Sequence, residues 1–420
     1  MIQEFSIENY LSFGSKQTIS FVATSDKSLA EELIVEPKPG VRLLRLALLY
    51  GANASGKSNL LNAIQSLWVL LFFPQEQEHM RVREYEPFAL RKGEPTRYAV
   101  AFWANGRKYE YWLENDAYSI LYERMTYTSD KGVQSELYER KKGSPISFGS
   151  TLRMKAKQKD DLNKETLGNH TVLSTLNKKN IDVPPVMREV YEWIKSHVHV
   201  LGEYDDYIEI AEQSEENLKL KQMIVELLRR ADFNISEFSL VTVTPPDDIA
   251  DEIKNDKNLS EKVKERFLRP TKQILFTHNT TETRFAIEFG LESAGTQAYF
   301  RLARLLFDLK DCGCLVMKDE LEESLHYDLL LHFLQTYIET GSRSQLLFTT
   351  HNQLLLDEEW LIRRDMVWFA EKERATGHTQ LYRASDMGIH KNVSLMNAYR
   401  IGKLGAKPLL GSTLIATDEL

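Results

Sequence analysis

Residues 51–58 read Gly-Ala-Asn-Ala-Ser-Gly-Lys-Ser, and they constrain the fold more than any other segment of the 420-residue chain. A mostly apolar run at 43–50, typical of a strand buried in a sheet, precedes them, and residues with helical spacing follow at 59–73. Glycines let backbone N–H groups fold around phosphate oxygens, and the positive end of a helix attracts the same anion. A strand, a glycine loop and a helix in this order predict a phosphate-binding loop, and the alternative is a chance glycine-rich turn.

The residues of this loop differ in the roles that we predict for them. Lys57 neutralises charge on the β and γ phosphates of a nucleotide, and the Ser58 hydroxyl binds Mg²⁺. The loop therefore predicts ATP and Mg²⁺ as ligands, but it does not choose among kinases, GTPases and motor proteins. The predicted nucleotide-binding residues of the loop are Asn53, Ala54, Ser55, Gly56, Lys57 and Ser58.

A second apolar run, 315–317, leads through Lys318 to two adjacent carboxylates, Asp319 and Glu320. We predict that Asp319 binds the Mg²⁺ and that Glu320 orients and deprotonates an attacking water. The alternative is an acidic helix start, because Glu322 and Glu323 follow. An apolar strand that ends in two acids is the usual partner of a phosphate-binding loop in an ATPase.

A third apolar strand is predicted at 346–349, and it leads to His351. At the end of a strand in this order, a histidine is placed to contact and sense a γ-phosphate, so we predict a catalytic role for His351. The alternative is a surface or capping histidine.

Residues 293–297 form a small, hydroxyl-bearing segment at a predicted helix start, which is a second anion-binding geometry. Because the chain already has one phosphate loop, this second segment is best explained if it contacts the ATP of a partner subunit. The alternative is an ordinary helix cap. The candidate residues of this segment are Ser293, Gly295, Thr296 and Gln297.

The remaining pattern predicts an α/β fold that is divided by the middle of the chain. Antiparallel strands are predicted at 98–113, with a turn at 104–106, and at 118–127. Helices are predicted at 185–200 and 215–232, and a charged surface insertion or mobile loop at 245–272. From 274 onward strands and helices alternate, which indicates a parallel sheet covered by helices. The predicted segments are 1–130 (first part of the ATPase head), 131–272 (mainly helical insertion) and 273–420 (second part of the head and tail).

Composition restricts the classes of function. The formal net charge is −8, which gives no support for DNA binding through bulk charge. Cys312 and Cys314 cannot complete a tetrahedral zinc site by themselves, and we expect them to be small apolar residues entering a buried strand. The longest apolar run, 67–73, is too short to span a bilayer, so we expect a soluble, cytoplasmic protein.

These motifs together resemble those of ABC-type ATPases of the SMC/RecF/OLD-like branch. They are most similar to standalone bacterial anti-phage (abortive-infection) AAA-family ATPases of the RloA and AriA kind. The resemblance covers about residues 1–130 and 275–410. It implies a P-loop fold of the ABC-ATPase head type, with a mixed sheet, an antiparallel accessory sheet and a helical insertion. The segments that carry it, besides the phosphate loop, are 7–13 (opening strand), 292–297 (ABC signature), 319–326 (Walker B and D-loop), 349–352 (switch histidine) and 402–408 (a GRFGAxP-like tail).

The resemblance also implies partners and a biological role. It implies ATP hydrolysis by a homodimer or higher homo-oligomer that closes around ATP, as the sensor or scaffold of an antiviral defence system. About 50 residues follow the strand that ends at Phe369, which leaves no room for a nuclease domain, so a separate effector is expected: a toxin or nuclease, RloB-like or TOPRIM. The alternatives are a RecF/SMC-like repair ATPase that binds DNA directly and a scaffold with vestigial hydrolysis.

Two features depart from the family pattern. Lys318 stands where the family strand is apolar, and no Q-loop glutamine can be assigned, with Gln134 and Gln158 as candidates by position only.

Overall fold

The protein is described by a computed structural model that covers residues 1–129, 131–178, 181–199, 206–231, 233–390 and 392–408. The chain forms two compact units. The first unit comprises Met1–Leu201, Leu309–Leu321 and Ile338–Leu420, and the second unit comprises Gly202–Asp308 and Glu322–Tyr337. The predicted segment boundaries at 130 and 272 stay predictions.

Strands occur in both units. In chain order, the strands of the described residues are β1 (Ile2–Glu8), β2 (Gln17–Ser20), β3 (Ile34–Lys38), β4 (Val41–Leu44), β5 (Leu46–Tyr50), β6 (Thr96–Ala104), β7 (Arg107–Asn115), β8 (Ile120–Thr128), β9 (Gln134–Lys141), β10 (Ser147–Phe148), β11 (Val198–His199), β12 (Ile235–Val243), β13 (Thr271–Asn279), β14 (Arg284–Glu288), β15 (Leu315–Lys318), β16 (Gln345–Thr349), β17 (Val367–Lys372) and β18 (Thr379–Arg383).

Helices lie between these strands. Two of them correspond to the helices predicted at 185–200 and 215–232, whose predicted ends, Val200 and Asp232, lie outside the described residues. In the described part of the chain, no helix is long and apolar enough to cross a membrane. The helices are α1 (Ala30–Leu33), α2 (Lys57–Phe72), α3 (Ala156–Glu165), α4 (Val172–Lys178), α5 (Pro185–Ser196), α6 (Tyr207–Glu216), α7 (Leu218–Arg230), α8 (Asp247–Asn255), α9 (Glu261–Leu268), α10 (Ala294–Asp311), α11 (Tyr327–Glu339) and α12 (Leu395–Arg400).

A six-stranded mixed sheet forms the centre of the first unit, in the order β11-β15-β16-β5-β17-β18. Neighbours from β11 to β17 are parallel, and β18 is antiparallel to β17. Strand β5 (Leu-Ala-Leu-Leu-Tyr) is buried at every position. An uninterrupted apolar run of this kind suits a strand that is covered on both faces.

A seven-stranded antiparallel sheet accompanies it, in the order β10-β9-β8-β7-β6-β1-β2. Buried and partly exposed residues alternate along β7, as expected for a sheet with one face against a core. Strands β6 and β7 form the hairpin predicted at 98–113, and its turn has Asn105 at φ 50° and Gly106 at φ 75°. The predicted α/β fold, with a mixed sheet, antiparallel sheets and helices, is confirmed.

The second unit contains a three-stranded antiparallel sheet, β12-β13-β14. Its core is aromatic: Phe238 and Phe276 contact Phe300 edge-on, with ring centroids 5.2 Å and 5.5 Å away. The strands predicted at 274–277 and 284–289 therefore exist but do not join the parallel sheet, because the short turn between them folds them into a hairpin. The segment 245–272 was predicted to be an insertion or loop, and it contains the helices α8 and α9, which bury none of their residues.

A buried ion pair precedes β17 in the first unit. The side chains of Arg363 and Asp365 lie 2.7 Å apart and are each only 1% exposed. The backbone N–H and the hydroxyl of Thr24 also donate to Asp365, each at 2.8 Å, and Arg383 on β18 donates to the Asp365 carbonyl. Burial opposes ionisation of Asp365, but the hydrogen bonds from Arg363 and Thr24 outweigh it, so the pKa of this carboxyl is held below its usual value.

We predict that Asp365→Asn lowers the free energy of unfolding by about 3–5 kcal/mol at neutral pH, because the buried Arg363 guanidinium then keeps its bonds to backbone carbonyls but loses its only carboxylate partner among the described residues. Since the folded-state pKa of Asp365 is depressed, its contribution is complete above the carboxyl's unfolded pKa and is lost as the pH falls through the folded pKa. Urea denaturation followed by tryptophan fluorescence should show the difference at pH 7 and a smaller one in acid. Glu359→Gln, on an exposed residue, is the control, and equal midpoints for the two variants at pH 7 would contradict the prediction.

Candidate functional site

Three adjacent parallel strands bring the predicted site residues of the first unit to one edge of its mixed sheet. Strand β16 lies between β15 and β5, with Lys318 opposite Phe348 and Phe348 opposite Leu48. Carboxyl ends of parallel strands meet at the same edge. The phosphate loop, the two acids and His351 therefore follow neighbouring strand ends, although more than 260 residues separate Gly51 from Asp319.

Glycine is required at two positions of the phosphate loop. Gly56 has φ 104°, and a Cβ atom there would lie 2.3 Å from the hydroxyl oxygen of Thr379. A Cβ atom on Gly51 would lie 2.4 Å from the carbonyl oxygen of Ala370. Both distances are far below a normal contact, so the loop packs tightly against β17 and the start of β18.

Hydroxyl groups support the loop from behind. The Thr379 hydroxyl oxygen lies 2.8 Å from both the Ser12 hydroxyl and the Ser55 carbonyl oxygen. The Asn59 side-chain amide donates to the Ser12 hydroxyl, also at 2.8 Å. With Ser12 donating to Thr379 and Thr379 donating to Ser55, the network connects α2 and the loop to β18. The sequence offered no sign of these contacts, because Ser12 and Thr379 are 367 residues apart.

The interior of the loop is built for an anion. The Lys57 ammonium is buried and donates to the carbonyl oxygens of Gly51 (3.0 Å) and Ala52 (3.2 Å). The Ser55 hydroxyl oxygen is buried and has no hydrogen-bond partner among the described residues. Ser58 is exposed in the first turn of α2. A cation and one unpaired hydroxyl at a helix start fit the phosphates of a nucleotide, and Ser58 fits a ligand of their Mg²⁺.

Thr349, at the end of β16, positions both acids. Its hydroxyl donates to the Asp319 carboxylate and accepts from the Glu320 backbone N–H at 2.8 Å. Thr349 is fully buried, whereas the Glu320 side chain is 56% exposed. Glu320 adopts φ 46°, a left-handed conformation that is rare for a non-glycine residue, and such backbones concentrate at functional sites.

His351 contacts the outer acid. Its Nε2 lies 3.5 Å from Oε1 of Glu320, and its side chain is 39% exposed. His351 also lines a cleft of about 1130 Å³ that is bounded by residues 51–55 of the phosphate loop. The histidine therefore connects the exposed carboxylate with the space in front of the loop, which is the position expected of a γ-phosphate sensor.

Two further segments of the first unit line the same cleft, and sequence reasoning did not predict either contact. One is the β17–β18 hairpin, from Ala370 to Gln380, and the other is 406–408 of the tail. The Tyr382 hydroxyl donates to the carbonyl of Leu404 at 2.8 Å, and the Tyr399 hydroxyl to that of Ala406 at 3.2 Å. Burial, followed by the charge of Glu371, raises the pKa of Tyr382, so its hydroxyl remains a donor at neutral pH.

The tail needs glycine at Gly405. This residue has φ 58°, and a Cβ atom there would lie 2.6 Å from the Tyr382 hydroxyl and 2.8 Å from the Glu371 carboxylate. The segment 402–408, which resembles a GRFGAxP tail, turns back against β17 and β18, and its residues 406–408 line the cleft with the phosphate loop.

The segment 293–297 lies in the second unit. The Ser293 hydroxyl accepts from the Thr296 backbone N–H at 3.0 Å and so caps helix α10, as the alternative interpretation proposed. Ser293 is exposed, and the 18-residue helix begins beside it. The Gln297 side-chain amide donates to the carbonyls of Phe289 and Glu292. The cap and an anion site are compatible, since a helix start offers several N–H groups.

Neither Q-loop candidate lines the cleft. Gln134 bonds to Glu110 and Thr126 in the antiparallel sheet, and Gln158 belongs to the capping box of α3. The glutamines that line the cleft are Gln353 and Gln380. Lys318 is partly buried at the end of β15.

Comparison with solved structures finds similarity to head domains of SMC proteins. One is "SMC head domain from Thermotoga maritima", 13% identical, covering 91% of this chain and 98% of that chain, with a TM-score of 0.40. Another is "Crystal structure of the SmcHead bound to the C-winged helix domain of ScpA", 12% identical, covering 95% and 99%, with a TM-score of 0.44. At these values neither similarity supports a functional conclusion. Comparison with curated proteins finds no match.

Comparison with protein families matches residues 46–357 to the family described as "AAA domain, putative AbiEii toxin, Type IV TA system". The matched region begins at β5 and includes the phosphate loop, the 293–297 segment, both acids and His351. Because it makes up more than half of the chain, the protein belongs to this family of AAA-domain proteins.

Proposed function

We propose that the chain hydrolyses ATP to ADP and phosphate. The observation that carries the proposal is the Thr349 hydroxyl, which contacts Asp319 and Glu320 together at the sheet edge that also holds the phosphate loop. In this proposal, Ser58 and Asp319 hold Mg²⁺, which neutralises phosphate charge when bound. Asp319 is partly buried and hydrogen-bonded, which suits a metal ligand, whereas the exposed Glu320 suits a base that accepts a proton from water.

His351 supplies a second polar group to this chemistry. Because its Nε2 lies 3.5 Å from Glu320 and its ring lines the cleft, it can hold the carboxylate in place and donate to a terminal phosphate oxygen. Lys57 supplies the fixed positive charge, and its hydrogen bonds to two loop carbonyls are replaced by phosphate contacts when nucleotide binds.

We propose further that two chains close around ATP, with Ser293, Gly295, Thr296 and Gln297 of one chain acting on the nucleotide held by the other. Support comes from the exposed start of α10, which offers backbone N–H groups to an anion. Residue Gly295 is partly buried, and a Cβ atom there would lie 3.3 Å from the carbonyl oxygen of Ser324, so little room exists for a side chain.

The proposed biological role is that of an ATP-switched sensor or scaffold in bacterial anti-phage defence, acting in the cytoplasm with a separate effector protein. Support comes from the family's printed description, which names a toxin and a type IV toxin–antitoxin system. Pulling down the chain together with the product of the adjacent gene, with and without ATP, tests this role, because an ATP-switched scaffold must hold its effector differently in the two states.

Lys57→Ala and Glu320→Gln are expected to have different effects. Lys57→Ala removes a charge-assisted phosphate contact and should weaken ATP binding by about tenfold or more. Glu320→Gln should keep ATP binding but stop hydrolysis and trap the closed dimer, because the water has lost its base. Calorimetric titration and phosphate release measure the two effects. Unchanged ATP affinity in Lys57→Ala would disprove the phosphate-loop assignment, and wild-type turnover by Glu320→Gln would remove Glu320 as the base.

Thr349→Val tests the positioning of the acids. The change keeps the side-chain shape and removes two hydrogen bonds, one of them to a charged carboxylate, so ATP turnover should fall by about tenfold or more. ATP affinity should change little, because Thr349 lies opposite Leu49 on β5, two residues before the phosphate loop begins at Gly51. Thr18→Val is the matched control, since the Thr18 hydroxyl bonds to Ser6 at 2.7 Å in the antiparallel sheet. Equal turnover by the two variants would contradict a positioning role.

Mixing two inactive variants tests the shared site. In a dimer of one Lys57→Ala chain and one Ser293→Arg chain, one composite site carries both changes and the other carries neither. Random pairing should therefore restore about a quarter of wild-type turnover. A Ser260→Arg chain, changed at the exposed start of α9, is the control and should be active by itself.

If each chain hydrolyses ATP alone, mixing restores nothing. Mixing would also fail to restore turnover if both ATP sites of a dimer must hydrolyse together. The mass of Glu320→Gln with and without ATP should therefore be measured in parallel by light scattering. A doubling of its mass with ATP supports the dimer, and an unchanged monomer mass argues against it.

A further inference from the structure

A cluster of metal-binding side chains lies at the amino end of β15, away from the nucleotide site. Strand β11 runs parallel to β15, with Val198 opposite Leu315, and the Leu315 N–H donates to the His197 carbonyl at 2.8 Å. This pairing places His199 beside the two cysteines that precede β15, Cys312 and Cys314. All three residues belong to the first unit.

The distances within the cluster match those of a shared metal ion. The Cys312 Sγ lies 3.6 Å from Nε2 of His199, and the three ligand atoms all lie within 4.8 Å of one another. Zinc binds thiolate at about 2.3 Å and imidazole at about 2.0 Å, so two such ligands at a tetrahedral angle lie roughly 3.6 Å apart. The histidine and Cys312 thus already have the separation that one tetrahedral ion requires.

The burial of the thiols also suits a metal. Cys314 is buried, with the Ser344 hydroxyl 4.0 Å from its Sγ, and Cys312 is partly exposed. Solvent therefore reaches the cluster from the Cys312 side, where a water can complete the coordination.

We propose that His199, Cys312 and Cys314 bind one Zn²⁺ ion, with water as the fourth ligand. Two thiolates and an imidazole are a ligand set that selects zinc over the hard cation Mg²⁺, which prefers oxygen. The sequence-based expectation that the cysteines are only small apolar residues holds for the burial of Cys314 but overlooks His199, which is 113 residues from Cys312 in the chain.

The proposed zinc ion lies away from the nucleotide site. Cys314 and Asp319 are five positions apart, which is about 16 Å along a strand, so the ion does not reach the nucleotide. It ties the short strand β11 to the start of the strand that leads to both acids. The zinc site thus stands independently of the proposed ATPase activity, and each proposal can fail without the other.

Metal binding can be followed directly by thiol reactivity, because Cys312 and Cys314 are the only cysteines of the chain. Full-length protein is stripped of metal with a chelator under reducing conditions, and its two thiols are then titrated with a thiol-specific chromophore at increasing Zn²⁺. One equivalent of Zn²⁺ should protect both thiols and raise the Tm. Mg²⁺ at the same concentrations should protect neither thiol.

His199→Gln tests the third ligand while keeping both thiols. Changes outside the ligand shell already weaken metal binding by about 10–100-fold, so loss of a direct ligand should raise the Zn²⁺ dissociation constant at least about tenfold. His326→Gln, whose side chain is 75% exposed, is the control and should bind as wild type. Cys312→Ser should remove the Zn²⁺-dependent rise in Tm.

Three results would overturn the proposal. The first is wild-type protein whose reduced thiols react equally fast with and without Zn²⁺. The second is wild-type zinc affinity in His199→Gln. The third is a Cys312–Cys314 disulfide that persists in the metal-free protein even under reductant, which would make the pair a redox bridge rather than a metal ligand.

Discussion

Burial of β5 between two parallel neighbours is the constraint on which the nucleotide site depends. All five residues of Leu46–Tyr50 are buried, and each large apolar side chain contributes about 1.5–3 kcal/mol when it leaves water. Because β5 is buried along its whole length, the chain that follows it leaves the sheet at the carboxyl edge. Hydrophobic burial of β5 therefore fixes where the phosphate loop begins, independently of the loop's own polar contacts.

Buried hydroxyl groups then determine the finer geometry. Thr349 holds the two acids, and Thr379 with Ser12 holds the loop, at contacts of 2.8 Å or less. Inside the unit these bonds are electrostatically stronger than in water, and an unmade bond costs more. Threonine suits the role at the ends of strands, because its branched side chain favours the strand and its hydroxyl reaches the next backbone.

The sequence predicted the parts of the site that are local in the chain. A strand, a glycine loop and a helix are contiguous at 43–73, and an apolar run with two acids is contiguous at 315–320, so each could be recognised alone. Their meeting at one sheet edge followed from the rule for parallel strands. The chemical roles of Glu320 and His351 stay predictions, since placement at an edge does not measure reactivity.

The parts that could not be predicted depend on contacts between distant segments. The hairpin of β17 and β18 and the tail at 406–408 line the cleft through folding that no short pattern encodes. Strands β13 and β14 carry the apolar pattern of buried strands, but the chain between them is too short for a parallel crossover, which needs a dozen or more residues. That length rule was available in the sequence and would have corrected the prediction.

Strand β15 has only four residues, yet a different chemistry lies at each of its ends. At the amino end two cysteines face His199, and at the carboxyl end Asp319 and Glu320 meet Thr349. Its neighbour β11 contributes only two residues of pairing and is the edge strand of this sheet among the described residues, so backbone hydrogen bonds alone hold this edge weakly. The proposed zinc ion would add a restraint between β11 and the start of β15, at the end of β15 opposite to Asp319 and Glu320.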